Sequence, residues 1–216
     1  MLLLALDTAT PAVTVALHDG TSVVAAESAV DARRHGELLA VFIDNVLRSA
    51  GASREDLTAV AVGTGPGPYT GLRAGLVTAR VLASALRIRL DGVCSLDVIA
   101  AAARAEAAGA EFLVATDARR REVYWARYSA DGQRRSGPHV SRPADLPPAL
   151  AVAGEAALIY PELGDRALDS AFPSAAQLAV MAAARLARGE PPEPAEPRYL
   201  RRPDAREPGK PKRVTT

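Results

Sequence analysis

Short apolar runs alternate with Gly/Pro breaks and longer helical stretches along this chain. Residues 2–7 (LLLALD) are apolar up to Asp7, the pattern of a strand buried on both faces. Residues 12–18 read as a second strand. Asp19-Gly20 is a hairpin signal that pairs residues 22–28 back as a third. A helix is expected over 35–49, stopping at Gly51; between Leu38 and Leu47 only Asp44 and Asn45 are polar. An ordinary surface helix needs one apolar stripe, so this excess implies deep burial or a second packing partner. A strand over 57–62 leads through a Gly/Pro turn into a helix over 69–86. On that helix Gly71, Gly75, Ala79 and Ala83 recur every fourth residue as one smooth ridge. The ridge suits close packing on the chain's own sheet or against a partner helix.

Further along, a strand ends at Val93, and residues 95–108 read as a helix capped by Ser95 with Asp97 in its first turn. Strands are expected over 111–116, 122–129, near 133–140 after Asp131-Gly132, and over 149–153. A last helix spans 174–188, with Ser174 as its cap. The order predicts a mixed α/β protein. Its first lobe is residues 1–98, with the helix at 174–189 packing back on it, and a smaller lobe covers 99–173. A Pro-rich basic tail, 190–216, is expected not to pack and to be largely disordered past Leu200.

Composition narrows the function classes. The 216 residues suffice for one domain or two small lobes, and 49% hydrophobic with 24% charged residues is ordinary for a globular protein. One cysteine, Cys94, excludes an internal disulfide and a cysteine metal cluster, and fits a reducing cytoplasm. The apolar N-terminus lacks a basic leader and is broken by Asp7, so it reads as a strand and not a signal peptide. No apolar run is long enough to span a membrane. Net charge is +1, but residues 198–216 carry seven bases and two acids, so +1 less +5 leaves −4 on residues 1–197.

The densest candidate for chemistry is VGTGPGPYTGLR, residues 62–73. Glycine opens backbone conformations that proline then fixes, and a strand-to-helix turn is where α/β proteins bind anions. A Walker loop is excluded because no lysine precedes Lys210, and GxGxxG fails because Pro68 or Thr70 stands at the last glycine position. A helix N-terminus with Arg73 in its first turn remains, open to an anion-binding or a purely structural reading. Asp7 is suited to positioning a metal-bound water or to capping a turn. His18, His35 and His139 are scattered without metal-ligand spacing. Ser95 and Cys94 have no nearby histidine in sequence to activate a nucleophile. Asp117, Arg119 and Glu122 suit acid–base work or a salt-bridged turn. No catalytic constellation assembles.

Together LALDTAT (4–10), GTGPGPYTGLRAGL (63–76), GVCSLDVIA (92–100), DARRREVYWARY (117–128) and PRYLR (197–201) resemble the TsaB (YeaZ) family, in order and to about residue 201. The resemblance implies an actin/sugar-kinase ATPase-like (ribonuclease H-like) fold in two related lobes. It implies a noncatalytic subunit in the synthesis of threonylcarbamoyladenosine in tRNA. Such a subunit pairs with the transferase TsaD through its two N-terminal helices and is joined by the ATPase TsaE; a stand-alone binding module that homodimerises through the same helix pair is a further reading, compatible with the first when TsaD is missing. On that reading the interface comprises Leu38, Leu39, Phe42, Val46, Gly71, Leu72, Gly75, Ala79 and Leu82. Asp7, Gly65, Gly67, Thr70, Gly71 and Arg73 are a vestigial phosphate loop. TsaD-type chains carry HxxxH where Ser95 and Ile99 stand here, so no metal is expected. No cofactor is expected on this chain alone, with nucleotide at the complex interface. An orphan nucleotide hydrolase or a glycoprotease-like enzyme is the alternative. Two departures mark this chain. Pro68-Tyr69 replaces the common Ser-Phe, and the basic tail, expected to add salt-sensitive tRNA affinity, lies outside the resemblance.

Overall fold

The N-terminal apolar run becomes β1 (Leu3–Asp7), every residue of which is buried. The computed structural model describes residues 1–147, 150–163 and 167–201. Beyond β1 the chain forms β2 (Ala12–His18), β3 (Val23–Val30), α1 (His35–Ser49), β4 (Ala59–Gly63), α2 (Tyr69–Leu86) and β5 (Arg89–Val93). After α3 (Ser95–Ala103) come β6 (Phe112–Asp117), β7 (Val123–Tyr128), β8 (Arg134–Ser141), β9 (Ala151–Ala153), the single turn α4 (Ala156–Ile159) and α5 (Ala175–Ala187). The third helix is shorter than the sequence predicts. It is capped by Cys94, since the Ser95 hydroxyl is engaged elsewhere.

The strands make two sheets of one plan. The first has the order β3-β2-β1-β4-β5 and the second β8-β7-β6-β9. In each, the opening strand lies between an antiparallel neighbour that follows it and a parallel strand reached by a crossover. The second sheet thus repeats the first without its fifth strand.

Side-chain size decides which helices cover which face. On one face of the first sheet Leu4, Leu6, Val13, Val15, Val60 and Val62 pack under α1 and α2. The opposite face presents Leu3 with Ala5, Ala16, Ala59 and Ala61, and these small residues receive Ala175, Leu178, Ala179 and Ala182 of α5. In the second sheet Phe112, Val114, Ala126 and Tyr128 pack on α3, while Leu113, Ala115, Val123 and Val152 face Ala156 and Leu163. Burying β1, β2 and β4 on both sides explains why their sequences show no alternation.

The segment after α5 departs from the expectation that it does not pack. Residues 190–201 run as an extended strap over the first sheet and onto the second. The Gly92 amide donates to the Glu193 carbonyl at 2.9 Å, and the Glu193 amide donates to Asp91 Oδ1 at 3.1 Å. Arg89 pairs with the buried Asp91 and donates to the Glu190 carbonyl, while Arg80 donates to the Ala195 carbonyl at 2.6 Å. The Arg198 amide donates to the Thr64 carbonyl, and Arg201 donates to the Ala118 carbonyl and pairs with Glu122. Prolines supply an extended backbone, and the strap's amides and carbonyls are met by arginines and by the edge of β5. The disorder expected past Leu200 falls on residues 202–216, outside the described residues.

Close approach of the strap depends on Gly92, where a methyl group would stand 2.3 Å from the Pro194 carbonyl oxygen. Gly92→Ala is therefore expected to displace the strap and cost about 1–3 kcal/mol of stability in urea denaturation. An unchanged midpoint would show that the strap is not held against β5.

Candidate functional site

The glycine turn between β4 and α2 is filled by the chain's own first strand. Asp7 ends β1 fully buried, and its two carboxylate oxygens are used separately. Oδ1 accepts the Ala9 amide at 2.7 Å, closing an Asx-type turn, and Oδ2 accepts the Ser95 hydroxyl at 2.6 Å. Ser95 Oγ in turn accepts the Gly65 amide at 3.1 Å, and the Gly65 carbonyl accepts the Ser95 amide. A methyl on Gly63 would lie 1.8 Å from the Asp7 carboxylate, and one on Gly67 would lie 1.9 Å from the Ala9 carbonyl oxygen. These glycines are required because the Asp7 carboxylate and the Ala9 backbone occupy the space beside them.

Thr8 explains the small ridge on α2. Its hydroxyl donates to the Gly71 carbonyl at 2.8 Å and accepts the Gly75 amide at 3.0 Å, the pair that an α-helix ordinarily joins to each other. A methyl on Gly75 would be 2.5 Å from that hydroxyl, and one on Gly71 would be 2.7 Å from the Thr8 carbonyl. The ridge therefore meets the loop after β1. Of the residues expected at a partner interface, Gly71, Leu72, Gly75 and Ala79 are buried within the chain itself. Leu39, Phe42 and Val46 are likewise buried in the same core. Leu38 and Leu82 are half-buried at its margin. The outer faces of the two helices expose Val41, Val77 and Val81 at 53–61%.

The residues expected in a vestigial phosphate loop separate into two groups. Asp7, Gly65, Gly67 and Gly71 come together around residues 7–9, whereas Thr70 and Arg73 are exposed. Arg73 lies 3.7 Å over the Tyr69 ring, and its Nε donates to Tyr199 Oη at 2.9 Å. Tyr199 of the strap stacks on Tyr69 with ring centroids 5.5 Å apart. The tyrosine that replaces the common phenylalanine thus anchors the strap. Thr8 and the strap contacts were not legible as site features; PRYLR signalled a motif but not where it docks.

Neither nucleophile candidate is activated. Cys94 is buried, and desolvation, with Asp97 nearby, pushes its thiol up to about 11. Ser95 is buried and spends its proton on Asp7. Ile99 is fully buried, and no cluster of three His, Cys, Asp or Glu suited to a metal occurs among the described residues. His35 bonds the Thr10 carbonyl, and His18 Nδ1 accepts the Gly20 amide.

The second sheet carries a turn of its own. Asp117 Oδ1 accepts the Arg119 amide at 2.9 Å and the Tyr160 hydroxyl at 2.9 Å, and Asp117 pairs with the Arg119 guanidinium at 3.3 Å. The Asp117 amide donates to the buried Glu155, whose carboxyl is pushed up to about 7, mainly by desolvation. This is a salt-bridged turn, with Glu122 held by Arg201. Arg119, Arg120 and Arg121 all take left-handed backbone conformations, φ 63°, 56° and 57°. Such a conformation costs roughly 1–2 kcal/mol per non-glycine residue.

The strand order, with the loop after β1 packed into a glycine turn, makes an α/β fold of two mixed sheets flanked by helices. A model for the family described as TsaD: tRNA N6-adenosine threonylcarbamoyltransferase matches residues 24–161. YeaZ from Pseudomonas aeruginosa superimposes with a TM-score of 0.76 at 31% identity, covering 91% of this chain and 100% of that one. Another Pseudomonas aeruginosa structure, an uncharacterized protein with similarity to peptidase YEAZ, gives a TM-score of 0.79 at 32% identity over 93% and 99% of the two chains. TsaB of Escherichia coli is 39% identical over 132 residues, 61% of this chain and 56% of the relative. An uncharacterized protein of Mycobacterium tuberculosis H37Rv is 47% identical over 94% of this chain and 93% of its own. The chain belongs to the TsaB/YeaZ family.

Burial has a titration consequence at Asp7. Desolvation raises its pKa from 3.8 to about 6, against the opposing Ser95 and Ala9 hydrogen bonds. A carboxyl raised on folding stabilises fully below pH 3.8, and that contribution is lost as pH rises through 6. Asp7→Asn keeps an acceptor for Ala9 and no longer titrates. It is expected to abolish a pH-dependent loss on the order of 2–3 kcal/mol between pH 4 and 7 in denaturation profiles. A wild-type-like profile in the variant would place the titration elsewhere.

Proposed function

We propose that this chain is a noncatalytic subunit for threonylcarbamoyladenosine synthesis in tRNA, which activates a TsaD-type transferase by docking the outer face of α1 and α2. Relatives named tRNA threonylcarbamoyladenosine biosynthesis protein TsaB support the pathway. The observation that carries the docking role is the exposure of Val41, Val77 and Val81 on neighbouring helices whose other faces are already committed to the core. Leu38 and Leu82 border this surface. TsaE joins the resulting pair, the same face mediates self-association when the transferase is missing, and the assembly works in the cytoplasm. In keeping with this, no described helix is long and apolar enough to cross a membrane.

Nucleotide is assigned to the complex and not to this chain alone, because the first strand fills the glycine turn and Arg73 is engaged by two tyrosines. The likeness of one neighbour to a peptidase gives the enzyme alternative. Here Ser95 and Asp7 are close enough for proton transfer, yet both are shielded from any substrate at 1% and 0% exposure.

Threonylcarbamoyladenosine synthesis by purified TsaD should rise at least tenfold when this chain is added. The Val77→Arg/Val81→Arg double variant should stay folded but lose both pairing and stimulation, since charge cannot be buried unpaired at a protein contact. A transferase indifferent to the chain would refute the subunit reading. Retained pairing by the variant would move the interface off α2.

A further inference from the structure

Three consecutive arginines in left-handed conformation are an expensive way to build a turn. Glycine or asparagine would adopt the same backbone more readily. Strain of this kind persists where surrounding bonds impose it, and the bracing is visible. The Asp117 carboxylate holds the Arg119 amide, the Glu122 amide donates to the Arg119 carbonyl at 3.1 Å, and the Ala118 amide donates to the Glu122 carbonyl at 2.9 Å. Tyr160 secures Asp117 from the opposite side, and Arg201 of the strap secures the Ala118 carbonyl and Glu122. The acids at the base of the turn are thereby spent inside it, while all three arginine side chains are exposed.

Beside the turn lies an open groove of about 630 Å³, lined by Arg120, Arg121, Arg142, Tyr160 and Glu162 among others. Glu162 is the one acid among its described lining residues. The guanidinium groups of Arg121 and Arg142 make no hydrogen bond or ion pair among the described residues. The strap's described part ends at Arg201 on the base of this turn, and the sequence of residues 202–216 carries five bases and two acids. The Arg121 and Arg142 guanidinium groups, beside a half-buried aromatic ring, match a phosphate backbone better than a small anion.

We infer that the Arg119–Arg121 turn and Arg142 form a binding surface for RNA phosphates. The identification of the polyanion as tRNA rests on the proposed function. The Tyr160 ring on the groove favours nucleic acid over an acidic protein segment, since a base stacks on an aromatic face.

The test uses the full chain and a labelled tRNA transcript, followed by fluorescence anisotropy across a salt series. Wild type should bind, and Arg121→Glu/Arg142→Glu should bind at least tenfold more weakly, with a salt slope reduced by roughly one per arginine. Arg121→Gly serves as a second variant. It should melt at a higher temperature than wild type and still bind tRNA more weakly, a pairing that a merely structural turn would not give. The inference is overturned if wild type shows no affinity for tRNA, or if the double variant keeps wild-type affinity and slope. It is equally overturned if poly-glutamate binds through these arginines and tRNA does not displace it. The two readings fail separately. Arginine-dependent tRNA binding without stimulation of TsaD keeps the surface and removes the subunit role. Stimulation without arginine-dependent binding does the reverse.

Discussion

The insertion of Thr8 between Gly71 and Gly75 is the contact on which this architecture turns. One hydroxyl meets a carbonyl and an amide one helical turn apart, so α2 must lie directly against the loop after β1. Everything nearby follows from that approach. No side chain fits at Gly63, Gly67, Gly71 or Gly75, Asp7 is sealed from water, and Ser95 is drawn in to satisfy its second oxygen. A buried carboxylate is costly unless its oxygens are bonded, and here each has a donor. The turn is thus a structural joint.

That joint is tied to the rest of the molecule by the strap. Residues 190–201 touch β5, the Thr64 end of the glycine turn, α2 at both Tyr69 and Arg80, and finally the Ala118–Glu122 turn of the second sheet. Individually each hydrogen bond contributes about 0.5–3 kcal/mol, the arginine ones the most. Together they cross from one sheet to the other and fix the angle at which α2 leaves the core. A helix so fixed presents a constant outer face, which suits a docking surface that must recognise one partner.

Much of the fold was legible in the sequence because burial writes itself into composition. The unbroken apolar runs at β1, β2 and β4, the Asp19-Gly20 hairpin and the Ser174 cap all appear where pattern places them. The ridge of small residues on α2 was visible too, but not its purpose. A stripe of Gly and Ala states that something approaches closely without saying whether it is a strand, a loop or another protein. Thr8 gave no signal, since a hydroxyl bridging two backbone groups 63 and 67 residues away leaves no local pattern. The strap misled for a related reason. Proline and charge usually mean exposure, yet its carbonyls are satisfied by arginines scattered along the chain. Nor does sequence reveal a left-handed arginine, because no propensity favours one.

The glycine turn here packs on residues 7–9 and positions α2, and the two proposed functions are placed on outer surfaces: the valine-bearing helix pair and the arginine turn. The claim beneath this is that residues 7–9 occupy the glycine turn permanently. Amide hydrogen exchange of the free chain, with and without magnesium and ATP, addresses it directly. The account predicts that the Ala9, Gly65 and Gly75 amides exchange only with global unfolding and that nucleotide leaves them unchanged. Fast exchange at these amides, or protection that arises only when nucleotide is added, would contradict it.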